Sequence, residues 1–188
     1  MLLSRRDIIR RIKKGDIVFS PAVSAIDQVS VDLRIGRLFT KFVNPAHAAA
    51  IRFSKELFLD PELWITEEKD SYFLKRNEFI LAKTHEFVQL PYDLTGLING
   101  RSSWARIGLG VHLTAPKIDP GFKETITLEL THVGETTIEL RAGVDAPCQL
   151  MFLLLKTPVT EEESCGSSEE DIFAGQTEPV PVKLRKKK

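Results

Sequence analysis

Residues 100–130 read GRSSWARIGLGVHLTAPKIDPGFKETITLEL. At the end of this stretch Ile126, Leu128 and Leu130 alternate with Thr125, Thr127 and Glu129, the period of two that marks a strand with one buried face. Glu129 therefore stands on the face opposite the apolar layer. That face meets either plain solvent or a pocket between subunits. Upstream, Arg101 and Arg106 flank Ser102 and Ser103. Guanidinium forks beside hydroxyls and turn amides suit phosphate oxygens, because arginine donates bidentately and keeps its charge. By composition alone the same residues also describe a strand-flanking turn with surface arginines. Asp119-Pro120-Gly121 is a turn of the kind that punctuates any all-β chain.

The same strand period recurs outward from this segment. Val31, Leu33 and Ile35 alternate with Asp32 and Arg34, which predicts one half-buried strand. Short apolar or alternating runs at 38–43, 79–84, 94–98, 111–113, 137–140 and 150–155, separated by Pro and Gly, predict further strands. Many short strands at close spacing indicate a mainly β fold, a sandwich, jelly roll or barrel. One helix precedes them: Ser4 and Asp7 read as a capping box ahead of Ile8, Ile9 and Ile12, and Gly15 is a natural stop. Residues 54–71 are ambiguous. The expected organisation is one β domain over residues 1–156 and a tail over 157–188, acidic and serine-rich and then basic. A tail of this composition cannot bury enough apolar surface to order itself. It is either solvated or an arm that closes over a ligand, and the isolated Phe173 and Gln176 favour the arm.

Composition sets bounds on function. The chain has 188 residues, 43% of them hydrophobic, enough for an ordinary core without disulfides or structural metal. Lys+Arg 26 against Asp+Glu 26 leaves no global field for a nucleic-acid backbone or an acidic membrane, so any polyanion must be gripped locally. No apolar run approaches the roughly 20 residues of a bilayer span, and the N-terminus lacks the apolar stretch of a signal peptide. The expectation is a soluble cytoplasmic protein with no nucleic-acid or membrane partner. No histidine stands at zinc spacing with another His or with Cys, and there is no CxxC, so no protein-bound metal site is expected.

Order and spacing together carry more than any single motif. The run Gly100-Arg101-Ser102-Ser103, Ala105-Arg106, Gly108-Leu109, Val111-His112, Thr114-Ala115, Ile118-Asp119-Pro120-Gly121-Phe122 and Leu128-Glu129-Leu130 closely resembles the dCTP deaminase branch of the dUTP diphosphatase-like superfamily. Ser30-Val31-Asp32-Leu33-Arg34-Ile35-Gly36 resembles an early strand of that family, and Gln149-Leu150 a late one. The tail from Phe173 through Gly175 and Gln176 weakly resembles its closing arm. The match is weakest over 44–71.

The resemblance implies a distorted β-barrel or jelly roll of the dUTP diphosphatase-like type, assembled as a homotrimer with active sites at subunit interfaces. It implies hydrolytic deamination of dCTP to dUTP and ammonia without protein-bound zinc, Mg²⁺ arriving with the triphosphate. On the matching positions, Arg101, Ser102, Ser103 and Arg106 would grip the triphosphate, and Ser102, Arg106 and Ala115 would lie near the reacting water. Asp119 would bind the deoxyribose 3′-hydroxyl, and the backbone at Thr127 and Leu128 would read the pyrimidine edge. Glu129 would be the catalytic carboxylate, a role open to a carboxyl group whose environment suits proton exchange. Phe173 and Gln176 would contact the nucleotide from the tail.

Some positions depart from the pattern. Glu124 stands where the family usually has Gly, residues 143–149 are one residue longer and predict a bulge, and Ile172, Phe173 and Glu178 replace Lys, Tyr and Gly. Two other functions are weighed against deamination. Asp119 also matches the water-activating carboxylate of dUTP diphosphatases, which supports that activity alone or joined to deamination. Pro116 stands where bifunctional members tend to have Gly and favours the single activity. The altered tail supports a non-catalytic nucleotide-binding trimer.

Overall fold

The computed structural model describes residues 1–43, 50–52, 54, 57, 59–167, 173, 175–176 and 178–179. Ile172, the basic end 183–188 and part of the ambiguous 54–71 stretch lie outside the described residues. Helix α1 (Arg5–Lys14) has the expected ends: the Asp7 N–H donates to Ser4 Oγ, the Ser4 N–H donates back to Asp7, and Gly15 closes it at φ 81°. Arg11 ties the helix to the bend that follows it and to a distant turn through ion pairs to Asp16 at 2.8 Å and to Asp93.

The strands are β1 (Val18–Ser20), β2 (Ser30–Leu33), β3 (Ile35–Phe42), β4 (Trp64–Glu68), β5 (Ser71–Leu74), β6 (Phe79–Gln89) and β7 (Leu94–Gly100). After the short turn α2 (Ser102–Ala105) come β8 (Leu109–Gly110), β9 (Lys117–Ile118), β10 (Lys123–His132), β11 (Ile138–Arg141) and β12 (Cys148–Leu154). Every pairing is antiparallel. One sheet runs β4-β3-β6-β10-β8 with β1 also on β6, a second β2-β12-β7-β9, and a third pairs β11 with β5. The fold is thus mainly β and jelly-roll-like, and its three sheets do not close into one barrel. Val31, Leu33, Ile98, Leu150 and Phe152 of the second sheet share one buried cluster with Ile80, Ala82, Ile126, Leu128 and Leu130 of the first.

Three local readings need correction. Residues 31–35 are not one half-buried strand: all four residues of β2 are buried, and Ile35 opens β3 in a different sheet. The polar members are matched inside the fold, Asp32 by Arg101 at 3.2 Å and Arg34 by the fully buried Glu86 at 2.6 Å. Gly36 permits the crossing, since a Cβ there would lie 2.8 Å from the Lys83 carbonyl oxygen. The strand expected at 111–113 pairs instead at Leu109–Gly110, which leaves 111–115 as a loop. The extra residue of 143–149 makes no bulge in β12, whose register with β2 and β7 is unbroken. A turn absorbs it, with Asp145 accepting from the Arg141 N–H at 2.8 Å.

A bulge does occur where β6 meets β10. Thr125 faces Phe87 and Thr127 faces Lys83, so Ile126 alone opposes 84–86. The Thr84 hydroxyl fills the gap, accepting from the Ile126 N–H at 2.9 Å and donating to the Glu86 carbonyl at 2.8 Å, all buried. Thr84→Val keeps the shape and orphans both backbone groups. It should lower unfolding stability by about 1–3 kcal/mol in urea titration, and an unchanged midpoint would show that the hydroxyl does not secure β10.

Candidate active site

On β10, Ile126, Leu128 and Leu130 are buried and Thr127 and Glu129 face outward, as the alternation requires. The loop after β8 is hooked onto this face. The Glu129 N–H donates to the Val111 carbonyl at 3.1 Å, and the Leu113 N–H donates to Glu129 Oε2 at 2.8 Å. Among the described residues Oε1 makes no hydrogen bond, which leaves one carboxylate oxygen for a ligand. Ala115 is exposed in the same loop. Just beyond it the Pro116 carbonyl accepts from the Ile98 N–H at 2.8 Å, which ties the loop to β7.

Asp119 pairs with Lys117 at 2.7 Å at the mouth of the next turn. Gly121 takes φ 78° there, and a Cβ would lie 2.8 Å from Ser164 and 2.9 Å from Tyr92, so both conformation and space require glycine. The chain after β12 passes over this turn: Val159 donates its N–H to the Tyr92 carbonyl at 3.0 Å and Cys165 to the Pro120 carbonyl at 2.9 Å. Further on, Gln176 Nε2 donates to Thr127 Oγ1 at 3.0 Å, so a tail residue meets the strand that carries Glu129. Phe173 is 48% exposed. Leu128 is fully buried in the core.

The arginine–serine turn forms a second group. Arg101 is held by its N–H to the Pro147 carbonyl at 2.9 Å, by Nη1 to the Ala146 carbonyl at 3.1 Å and by the ion pair to Asp32. Burial pushes the Asp32 carboxyl above its usual range, against the opposing pull of Arg101. Ser102, Ser103 and Arg106 are exposed, and Arg106 lines a cleft of about 710 Å³ with Trp104, Gly134 and Glu135. Among the described residues no hydrogen bond or ion pair links Arg101, Ser102, Ser103 or Arg106 to Ala115, Asp119, Thr127, Glu129 or Gln176. The basic group and the carboxylate-bearing group thus share no polar contact among the described residues.

Lys83 escaped the sequence reading. It is 3% exposed on β6, directly across from Thr127, and donates from Nζ to the Gln176 carbonyl at 2.8 Å. A lysine directly after the apolar run Phe79-Ile80-Leu81-Ala82 was the available signal. Among the described residues no three His, Cys, Asp or Glu side chains converge as a metal site would, and no helix is long and apolar enough to cross a membrane.

The jelly roll and its outward carboxylate strand place this chain in a class of antiparallel, mainly β jelly-roll folds. Within that class, residues 2–155 match the dCTP deaminase-like family, and the chain belongs to it. It is 36% identical to a dCTP deaminase of Haloarcula marismortui over 98% of this chain and 95% of that protein. It is 34% identical to a "dCTP deaminase, dUMP-forming" of Methanothermobacter thermautotrophicus over 98% of this chain and 94% of that one. The crystal structure of 2′-deoxycytidine 5′-triphosphate deaminase from Agrobacterium tumefaciens superposes with a TM-score of 0.62 at 19% identity, covering 86% of this chain and 50% of that one. This last likeness concerns the fold alone.

Proposed function

We propose that the protein hydrolyses dCTP to dUTP and ammonia. The observation that carries this reading is Glu129, held on an outward strand face by the Leu113 N–H with its other carboxylate oxygen open, in a chain whose near full-length relatives are named dCTP deaminases. Water adds to cytosine C4 as Glu129 takes its proton. The same carboxyl group then returns a proton to the amine, which leaves as ammonia as the C4–N bond breaks, while the proton of the added hydroxyl ends on ring N3 and C4 becomes the carbonyl of dUTP. The Leu113 N–H fixes the carboxylate rotamer, and the Ala115 backbone borders the water.

Arg101, Ser102, Ser103 and Arg106 bind the triphosphate, which carries Mg²⁺ as part of the substrate. Asp119 binds the sugar hydroxyl, and Phe173 and Gln176 close over the base. Zinc takes no part in this scheme. Because no hydrogen bond or ion pair joins the arginine group to the Glu129 group among the described residues, we infer a homotrimer whose neighbouring subunits bring them together. The setting this reading implies is the cytoplasmic nucleotide pool.

A second reading, in which dUTP is hydrolysed onward to dUMP, is favoured by the relatives named dUMP-forming and by the position of Asp119. One assay separates them. Purified protein with dCTP and Mg²⁺ should release ammonia and dUTP in equal amounts. Pyrophosphate with dUMP would establish the second reading, and the absence of all four products would overturn both.

A further inference from the structure

Glu124 and Lys83 lie outside the roles assigned above, yet both meet the tail. The Gly175 N–H donates to Glu124 Oε1, and the Gln176 carbonyl accepts from Lys83 Nζ at 2.8 Å. Glu124 Oε2 is buried and accepts no hydrogen bond among the described residues. Burial pulls the Lys83 ammonium below the usual lysine range, while the charges of Glu124 and Glu178 pull it back. A buried ammonium or carboxylate is costly unless it is hydrogen-bonded. For Lys83 the acceptor among the described residues is the tail carbonyl, so opening the tail would strip this lysine of that partner. The third contact, Gln176 Nε2 to Thr127 Oγ1, sets the side chain on the strand of Glu129.

We propose that Lys83 and Glu124 are positioning residues, an intrachain latch that seats Gly175 and Gln176 over β10 before any nucleotide binds. Neither residue touches substrate. They act by holding Gln176, one on each side of the Gly175–Gln176 peptide. The latch rests on the reading of Gln176 as a nucleotide contact only for its effect on turnover, and the closed tail itself is independent of that reading.

The test uses the full-length, assembled protein. Backbone amide exchange is followed at Gly175 and Gln176 without nucleotide, and kcat and KM are measured with dCTP. Lys83→Met replaces a buried ammonium by an apolar chain of similar length, a change that folded proteins commonly accept. It leaves the Gly175 N–H acceptor in place, yet the latch requires exchange at Gly175 to quicken about tenfold. Glu124→Ala should do the same, and Glu124→Gln, which keeps a carbonyl acceptor, should restore most of the protection. With dCTP, both disruptive variants should raise KM about tenfold and leave kcat within about twofold. Unchanged exchange in Lys83→Met overturns the latch, and a fall in kcat at constant KM overturns its role in seating Gln176. If the unmodified protein makes no product from dCTP, the proposed activity fails and the exchange measurement alone decides the latch.

Discussion

Glu129→Gln should bind dCTP and release ammonia about 10²–10⁴-fold more slowly than the unmodified protein, the usual worth of general acid–base help. Gln keeps the size of Glu and retains an oxygen to accept from the Leu113 N–H, the contact made at 2.8 Å by Glu129 Oε2. The 111–115 loop therefore stays hooked to β10. What disappears is the capacity to take a proton from water and pass one to the amine. Ammonia release under saturating dCTP reads the chemistry, and isothermal titration reads binding. Ammonia release within a few-fold of the unmodified rate would remove Glu129 from the mechanism. A zinc-selective chelator with Mg²⁺ in excess should leave the unmodified rate unchanged, and zinc-reversible inactivation would call for a different chemistry.

Arg106→Ala should lower kcat/KM for dCTP by an amount equivalent to about 2–5 kcal/mol, the range for losing one partner of a desolvated charge pair. In the single chain Arg106 is exposed beside its cleft and makes no ion pair among the described residues. Its removal should therefore cost little folding stability, and thermal unfolding should stay near that of the unmodified protein. On the proposed trimer, the loss falls at a site that a neighbouring subunit completes. That assembly has its own signature: subunits carrying Arg106→Ala, co-expressed with subunits carrying Glu129→Gln, should recover activity. Random mixing leaves about a quarter of the sites with one intact half from each neighbour. No recovery in mixed oligomers, or a monomer mass by light scattering, would place both halves within one chain.

The extent of legibility differs between elements for physical reasons. Helix α1 was legible because its capping box, apolar spacing and Gly15 stop are local. The inward–outward alternation of β10, and with it the exposure of Glu129, follows from the period of two alone. β4, β5 and β9 were not legible, since each forms only against a partner far along the chain, β3, β11 and β7 respectively. Such pairing depends on tertiary neighbours more than on intrinsic preference.

The site divides along the same line. The order of the motif from Gly100 to Leu130 carried the family, and residues 2–155 match it. Residue type also set what each group can do: Arg106 can grip an anion and Glu129 can exchange a proton. Only the tertiary structure decided that Arg101 is braced by Asp32, that the Leu113 N–H orients Glu129, and that Lys83 and Glu124 meet at Gly175–Gln176. Lys83 and Gln176 are 93 residues apart, and a polar contact at that separation leaves no periodic trace in the sequence. Whether a charged residue in a strand meets water or a buried partner is set by what the rest of the chain packs over it.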